Sequence, residues 1–117
     1  MHELSLAQSM VEDIVAAARR EGADRIVRVR LVVGALSGVD ADAFEFAFPV
    51  AAEGTPAAGA ELRIREVALA IHCRDCGATT SPDPLLCRCE TCGSTAVDVT
   101  AGRELKVEAL EIHVPVG

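Results

Sequence analysis

The chain has no tryptophan and no tyrosine, and three phenylalanines are its only aromatic residues. Any core must therefore be assembled from alanine, valine, leucine and isoleucine, and no row of aromatics is present on which nucleobases could stack. Basic side chains are also scarce: 11 Lys and Arg stand against 18 Asp and Glu, a formal charge of −7. That balance argues against nucleic acid or an anionic membrane surface as partner, since both call for a basic patch. No apolar run is long enough to cross a bilayer. The opening MHELSLAQSM lacks the basic segment, the unbroken apolar stretch and the cleavage pattern of an export signal, so a cytoplasmic protein is expected. No nucleophile–base pair or paired carboxylates stand out, and no enzymatic activity is expected.

What is present is enough for one modest domain. The chain has 117 residues, half of them apolar, with room for a core and a small satellite module. Ser5-Leu6-Ala7-Gln8 reads as a capping box, followed by Leu6, Met10, Ile14 and Ala17 at helical spacing with Val11, Val15 and Ala18 beside them. Arg19 and Arg20 suit the last turn and Gly22 the stop, so a helix is expected over residues 6–21. Residues 1–4 are left as an arm able to run as a strand. Over 25–33 the period changes to two, with Val27, Val29, Leu31 and Val33 on one face and Arg28 and Arg30 on the other.

Asp40 can cap a second helix with Phe44, Ala47 and Phe48 on one side, and Pro49 should kink it or end it near Phe48. Leu62 and Ile64 alternate in one phase, Val67, Leu69 and Ile71 in the other, which suggests a β-bulge near Arg65 and Glu66. The last segment slips in the same way, between Leu105 and Val107 and then Leu110, Ile112 and Val114. Matching slips read as two partners in one antiparallel pair. The expected fold is α/β, two helices on a small mixed β-sheet with an inserted zinc-ribbon-like module. Residues 1–71 plus 97–117 would form one domain and residues 72–96 the other.

The inserted segment carries the strongest chemical signal. Cys73-Arg-Asp-Cys76-Gly and Cys89-Glu-Thr-Cys92-Gly are two C-x-x-C knuckles, each followed by a glycine that eases the tight turn. Facing each other, they offer four thiolates in the tetrahedron that Zn²⁺ takes in closed structural sites. A short hydrophilic segment cannot build its own core, so metal must hold it together. Rubredoxin-like iron uses the same ligands but usually has aromatic packing, absent here, and a dithiol oxidoreductase needs only one such pair. Cys87 is the odd thiol. With Cys89 it would make only a C-x-C, so a free cysteine beside the site is expected.

His2 offers a second donor set. If Met1 is retained, its α-amine, the His2 amide nitrogen and the His2 imidazole form fused small chelate rings in one plane, which suits Ni(II) or Cu(II) and not Zn(II). Glu3, Asp40, His113 or water could complete the square. Met1-His2-Glu3 before the first helix, Val33-Gly34-Ala35-Leu36-Ser37, Gly54-Thr55-Pro56 and the two knuckles together resemble the HypA/HybF family of hydrogenase nickel-incorporation proteins over essentially the whole chain. Cys87 and Pro49 are departures from that pattern.

The resemblance implies a nickel-binding α/β domain with a zinc domain attached, His2 and the N-terminal backbone on nickel, Glu3 in support of that site or a client contact, and Cys73, Cys76, Cys89 and Cys92 on zinc. It further implies a metallochaperone that delivers Ni(II) during [NiFe]-hydrogenase maturation, with a maturation GTPase and the hydrogenase large subunit as partners. The rival is a zinc-ribbon protein–protein interaction adaptor without transferable metal, which should be indifferent to extension of its N-terminus.

Overall fold

The computed structural model describes residues 2–116. In chain order it gives α1 (Glu3–Arg20), β1 (Arg25–Gly34), α2 (Ala41–Ala52), β2 (Glu61–Val67), β3 (Ala70–Cys73), β4 (Thr79–Thr80), β5 (Val97–Ala101) and β6 (Leu105–His113). The strands form two three-stranded sheets, ordered β2-β1-β6 and β4-β3-β5. Two helices with small mixed sheets is the class the residue patterns imply. The chain divides into two compact units. One holds the residues up to Leu31, then Asp40–Ile64 and the residues from Val107 on; the other holds Val32–Val39 and Arg65–Lys106. The cysteine-bearing unit thus takes in more chain than residues 72–96.

In the first unit, α1 buries Ala7, Val11, Ile14, Val15 and Ala18. The buried stripe lies one residue over from the expected one, and Leu6, Met10 and Ala17 sit half-buried at its border. The helix also starts earlier than its capping box suggests. Its N-cap is His2, without a side-chain cap bond, and the Leu6 amide donates to the His2 carbonyl at 2.9 Å. Ser5 is therefore an exposed residue inside the first turn, not a cap, and Glu3 and Leu4 are helical, not strand. Nothing in Glu3-Leu4-Ser5 breaks a helix, and Glu3 in the first turn favours the positive end of the dipole.

Asp40 does cap α2, its Oδ1 accepting the Ala43 amide at 3.1 Å, and Phe44, Ala47, Phe48 and Ala52 are buried. The Phe44 and Phe48 rings lie 6.3 Å apart between centroids, tilted by 34°. Burying each ring contributes about 3 kcal/mol. Pro49 does not end the helix, which continues to Ala52. The carbonyl a proline leaves unpaired is that of Glu45, and Glu45 and Pro49 are both exposed, so water can take the lost bond. The Thr55 hydroxyl closes the far end by donating to the Ala52 carbonyl at 2.7 Å.

β1 is central in its sheet, which explains the burial of Leu31, Val32, Val33 and Gly34 in succession. Its first half departs from simple alternation: Ile26 and Val29 are buried while Val27 is exposed. On the polar side Arg28 bonds Glu61 of β2 at 2.8 Å and Glu111 of β6 at 2.5 Å, a charged row across all three strands. β2 and β6 flank β1 and are not each other's partners. Their matching slips therefore do not mark one pair. After Val67 the chain leaves the first sheet, and β3 belongs to the second.

In the second unit β3 runs antiparallel to both neighbours, pairing Ile71 with Thr80 of β4 and with Val99 of β5. A bulge falls between Ala70 and Ile71. Cys73 ends this central strand opposite Val97. Close approach of backbone fixes the neighbouring turn. The Gly34 amide donates to the Glu104 carbonyl and the Leu36 amide to that of Gly102, both at 2.6 Å. A Cβ on Gly34 would collide with backbone atoms of Gly102 and Glu104, and backbone cannot rotate aside. Gly34→Ala should lower stability by about 3 kcal/mol, read as a fall in the urea midpoint; an unchanged midpoint would contradict this close approach.

Candidate metal centre

The two knuckles are built alike, bond for bond. The Cys73 amide donates to the Ala78 carbonyl and the Gly77 amide returns to the Cys73 carbonyl, each at 2.9 Å. In the second knuckle the Cys89 amide donates to Ser94 at 2.9 Å and the Gly93 amide to Cys89 at 2.8 Å. Each turn needs a residue at positive φ in the position after its second cysteine, and Gly77 and Gly93 stand there at φ 78° and 76°. An added Cβ would meet nothing at either glycine, so the requirement is conformational and not one of space. In each knuckle the first cysteine is buried and the second exposed.

Cross-links between the knuckles hold them face to face. The Ser94 hydroxyl donates to Asp75 at 2.5 Å and accepts the Ala96 amide at 3.0 Å. The Arg74 amide donates to the Ala96 carbonyl at 2.9 Å, and its guanidinium pairs with Asp98 at 2.5 Å. Sequence reasoning passed over Asp75 and Ser94. The available signal was a polar residue inside one knuckle and a hydroxyl just past the other, able to pair once the knuckles face.

The result is four Sγ atoms, of Cys73, Cys76, Cys89 and Cys92, all within 4.8 Å of one another. Cys73 and Cys92 are 3.6 Å apart at sulfur, as are Cys76 and Cys89. A tetrahedron with a sulfur–zinc distance of about 2.3 Å has edges of about 3.8 Å. The donor set therefore fits a zinc ion in both chemistry and spacing. Cys87 is outside the cluster. It is half-buried, at φ 44°, and its amide donates to the Asp83 carbonyl at 3.1 Å.

The sulfurs divide by protonation. The Cys92 amide bonded to Cys89, outweighing burial, holds that thiol down to about 6. The Cys76 amide does the same for Cys73, lowering it. Cys92 gains from the Ser94 amide, but the bonds it shares with Cys73, Cys76 and Cys89, together with burial, push it up to about 12. Cys76, despite the Ala78 amide, is raised by its bond with Cys89 and by burial. The two buried sulfurs thus lose their protons before the two exposed ones.

Of the N-terminal candidates, Met1 lies outside the described residues. His2 is 59% exposed at its side chain, and its Nε2 is 3.6 Å from a Glu3 carboxylate oxygen. Asp40 is engaged as the α2 cap. His113 pairs through Nδ1 with Asp24 at 2.7 Å. Among the described residues no second group of three or more His, Cys, Asp or Glu converges, so the structure does not bring Asp40 or His113 together with His2 and Glu3. No helix among them is long and apolar enough to cross a membrane.

Comparison with known proteins places this arrangement. The family model described as hydrogenase/urease nickel incorporation, metallochaperone, HypA matches residues 1–112. A hydrogenase maturation factor HypA of Chloroflexus aurantiacus is 50% identical over 112 residues, covering 95% of this chain and 98% of its own. Its counterpart in Chlorobium limicola is 43% identical over 113 residues, 97% of each chain. The solution structure of the Ni metallochaperone HypA from Helicobacter pylori superposes with a TM-score of 0.68 at 30% identity, over 98% of this chain and all of that one.

Two outcomes test the centre. Cys73→Ala or Cys92→Ala should lose a tightly held zinc together with the order of residues 73–92, while Cys87→Ala keeps both, by elemental analysis and amide NMR; metal loss in Cys87→Ala would contradict the ligand set. Zinc uptake at pH 7 should also release fewer than four protons, because Cys89, held down to about 6, is already largely a thiolate while Cys76 and Cys92 still carry theirs. Calorimetry in buffers of different ionisation enthalpy reads that number, and release near zero would show that all four sulfurs were already thiolates.

Proposed function

The chain belongs to the HypA family of hydrogenase/urease nickel-incorporation metallochaperones, and from that premise we propose that it carries Ni(II) at its N-terminus and delivers it during hydrogenase maturation. The observation that supports this most is the position of His2 at the head of α1. An N-cap residue's own amide has no partner within its helix. The His2 amide nitrogen is thus free to lose its proton to a metal, and the exposed imidazole of the same residue closes the chelate ring. Met1 would add its α-amine. Glu3, with its carboxylate 3.6 Å from the imidazole, would orient His2 or supply an oxygen donor.

Nickel in this reading is cargo. Donors at a chain end can be exchanged one at a time for those of an acceptor, and nothing has to unfold. Nitrogen donors in a plane favour Ni(II) over Zn(II), so the cargo site and the thiolate site select different ions. Cys73, Cys76, Cys89 and Cys92 would hold zinc, which when bound supplies a structural crosslink and no chemistry of transfer. The unit that holds α1 and α2 would then serve nickel and the cysteine-bearing unit zinc. The expected partners are a maturation GTPase and the hydrogenase large subunit, the expected compartment is the cytoplasm, and the protein itself would catalyse no covalent step.

Untagged protein should take up one Ni(II) beyond its zinc, and His2→Ala should abolish that uptake without changing zinc content or far-UV dichroism. A residue added before Met1 should weaken nickel almost as much, because an amide replaces the free amine. A square-planar d–d band is expected if the His2 amide is deprotonated. Full nickel stoichiometry in His2→Ala would remove the N-terminal site and favour a zinc-ribbon adaptor with no cargo.

A further inference from the structure

Where the two helices of the first unit meet, apolar side chains are left in water. Phe46 is 83% exposed, Val50 52% and Leu4 43%. With Glu3, Ala43 and Ala47 they line a shallow groove of about 310 Å³. The chain has only three aromatic residues. Phe44 and Phe48 are fully buried, and the third stands in solvent between them in sequence. Exposed apolar side chains that cluster, rather than scatter, mark a surface that something covers.

The charges around the groove say what. Asp42, Phe46 and Val50 follow one another at i, i+4 along one row of α2, and Glu53 follows Val50 by three. Glu45 adjoins Phe46, and Glu3 lines the α1 side. No Lys or Arg occurs in α2, and none in α1 before Arg19. A second copy docking through the same face would oppose these carboxylates to their own equivalents, and an anionic lipid surface would be repelled. An occupant with an apolar stripe between basic flanks meets every feature. We propose that this groove docks an amphipathic helical segment of a partner protein whose apolar face is bordered by Lys and Arg.

The groove also adjoins the cargo residues. Glu3 lines it, and the Glu3 carboxylate lies 3.6 Å from the His2 imidazole. A basic side chain of the docked segment would compete with His2 for Glu3, so that docking loosens the support of the metal-binding imidazole. This last consequence rests on His2 as a nickel ligand; the docking does not.

Three synthetic peptides test the surface on untagged, zinc-loaded protein. One forms a helix with leucines at i, i+3, i+4 and i+7 and lysines elsewhere, one replaces the lysines by glutamates, and one scrambles the first. The lysine peptide should bind and shift the amide resonances of Leu4, Phe46 and Val50, and Phe46→Ser or Val50→Ser should weaken it by about tenfold or more. The other two peptides should not bind. Equal binding of the scrambled peptide, or of the lysine peptide to both variants, would overturn the proposal. So would self-association in the ultracentrifuge that Phe46→Ser abolishes, which would assign the face to a second copy. Phe46→Ser should take up nickel as the parent does. Failure of the parent itself to bind nickel would remove the cargo reading and leave the peptide result standing.

Discussion

Four sulfur atoms within 4.8 Å of one another cannot all be charged unless a cation sits among them, and protons alone leave them a loose set of weak hydrogen bonds. This electrostatic constraint governs the second unit. Its fully buried side chains include Leu69 and Ile71, but also Cys73 and Cys89 themselves, so two of the sulfurs double as core residues. The side-chain contacts between the knuckles, Asp75 with Ser94 and Arg74 with Asp98, are exposed and polar and contribute little by themselves. A tetrahedral ion would supply what the hydrophobic effect cannot in so short a segment. The matched amide bonds of the two knuckles place the sulfurs at the spacing such an ion requires.

The first unit rests on ordinary apolar packing. Phe44, Phe48, Ile26, Val29 and the α1 stripe close a core, and among the described residues no charged side chain is buried. That core places the start of α1, and the start of α1 places His2. Extending the helix to Glu3 rather than Leu6 turns residues 2 and 3 from a free arm into a defined helix end. A metal site built on such an end would owe its geometry to helix packing, whereas the zinc site would generate its own. On the proposed reading, the two donor sets differ in both softness and shape, and neither ion is suited to the other's ligands.

Much of this was legible in the residues. The C-x-x-C spacing named the four clustered sulfurs and left Cys87 out, because knuckle geometry is local. Asp40 as a cap and Phe44, Ala47 and Phe48 as a buried face were equally plain, since both are set within one helix. What failed depended on partners. The Ser5 box was a valid local signal, overridden because nothing upstream stops the helix. Of the two outcomes expected of Pro49, the early end does not occur, because Glu45 and Pro49 are both exposed and water can take the lost bond, and that exposure is a property of packing. The pairing of β2 with β6 was inferred from matching slips, but phase says which face is buried and not which strand lies alongside; β1 separates them. The groove at Phe46 was invisible for the same reason, since an exposed and a buried phenylalanine look alike in a sequence.

On the proposed reading two ions are held by disjoint donor sets, sulfur for one and nitrogen for the other. X-ray absorption at the zinc and nickel edges of one untagged, doubly loaded sample tests this directly. Zinc should show four sulfur neighbours at about 2.3 Å, and nickel a shell of nitrogen and oxygen without sulfur. Sulfur in the nickel shell, or nitrogen in that of zinc, would contradict it.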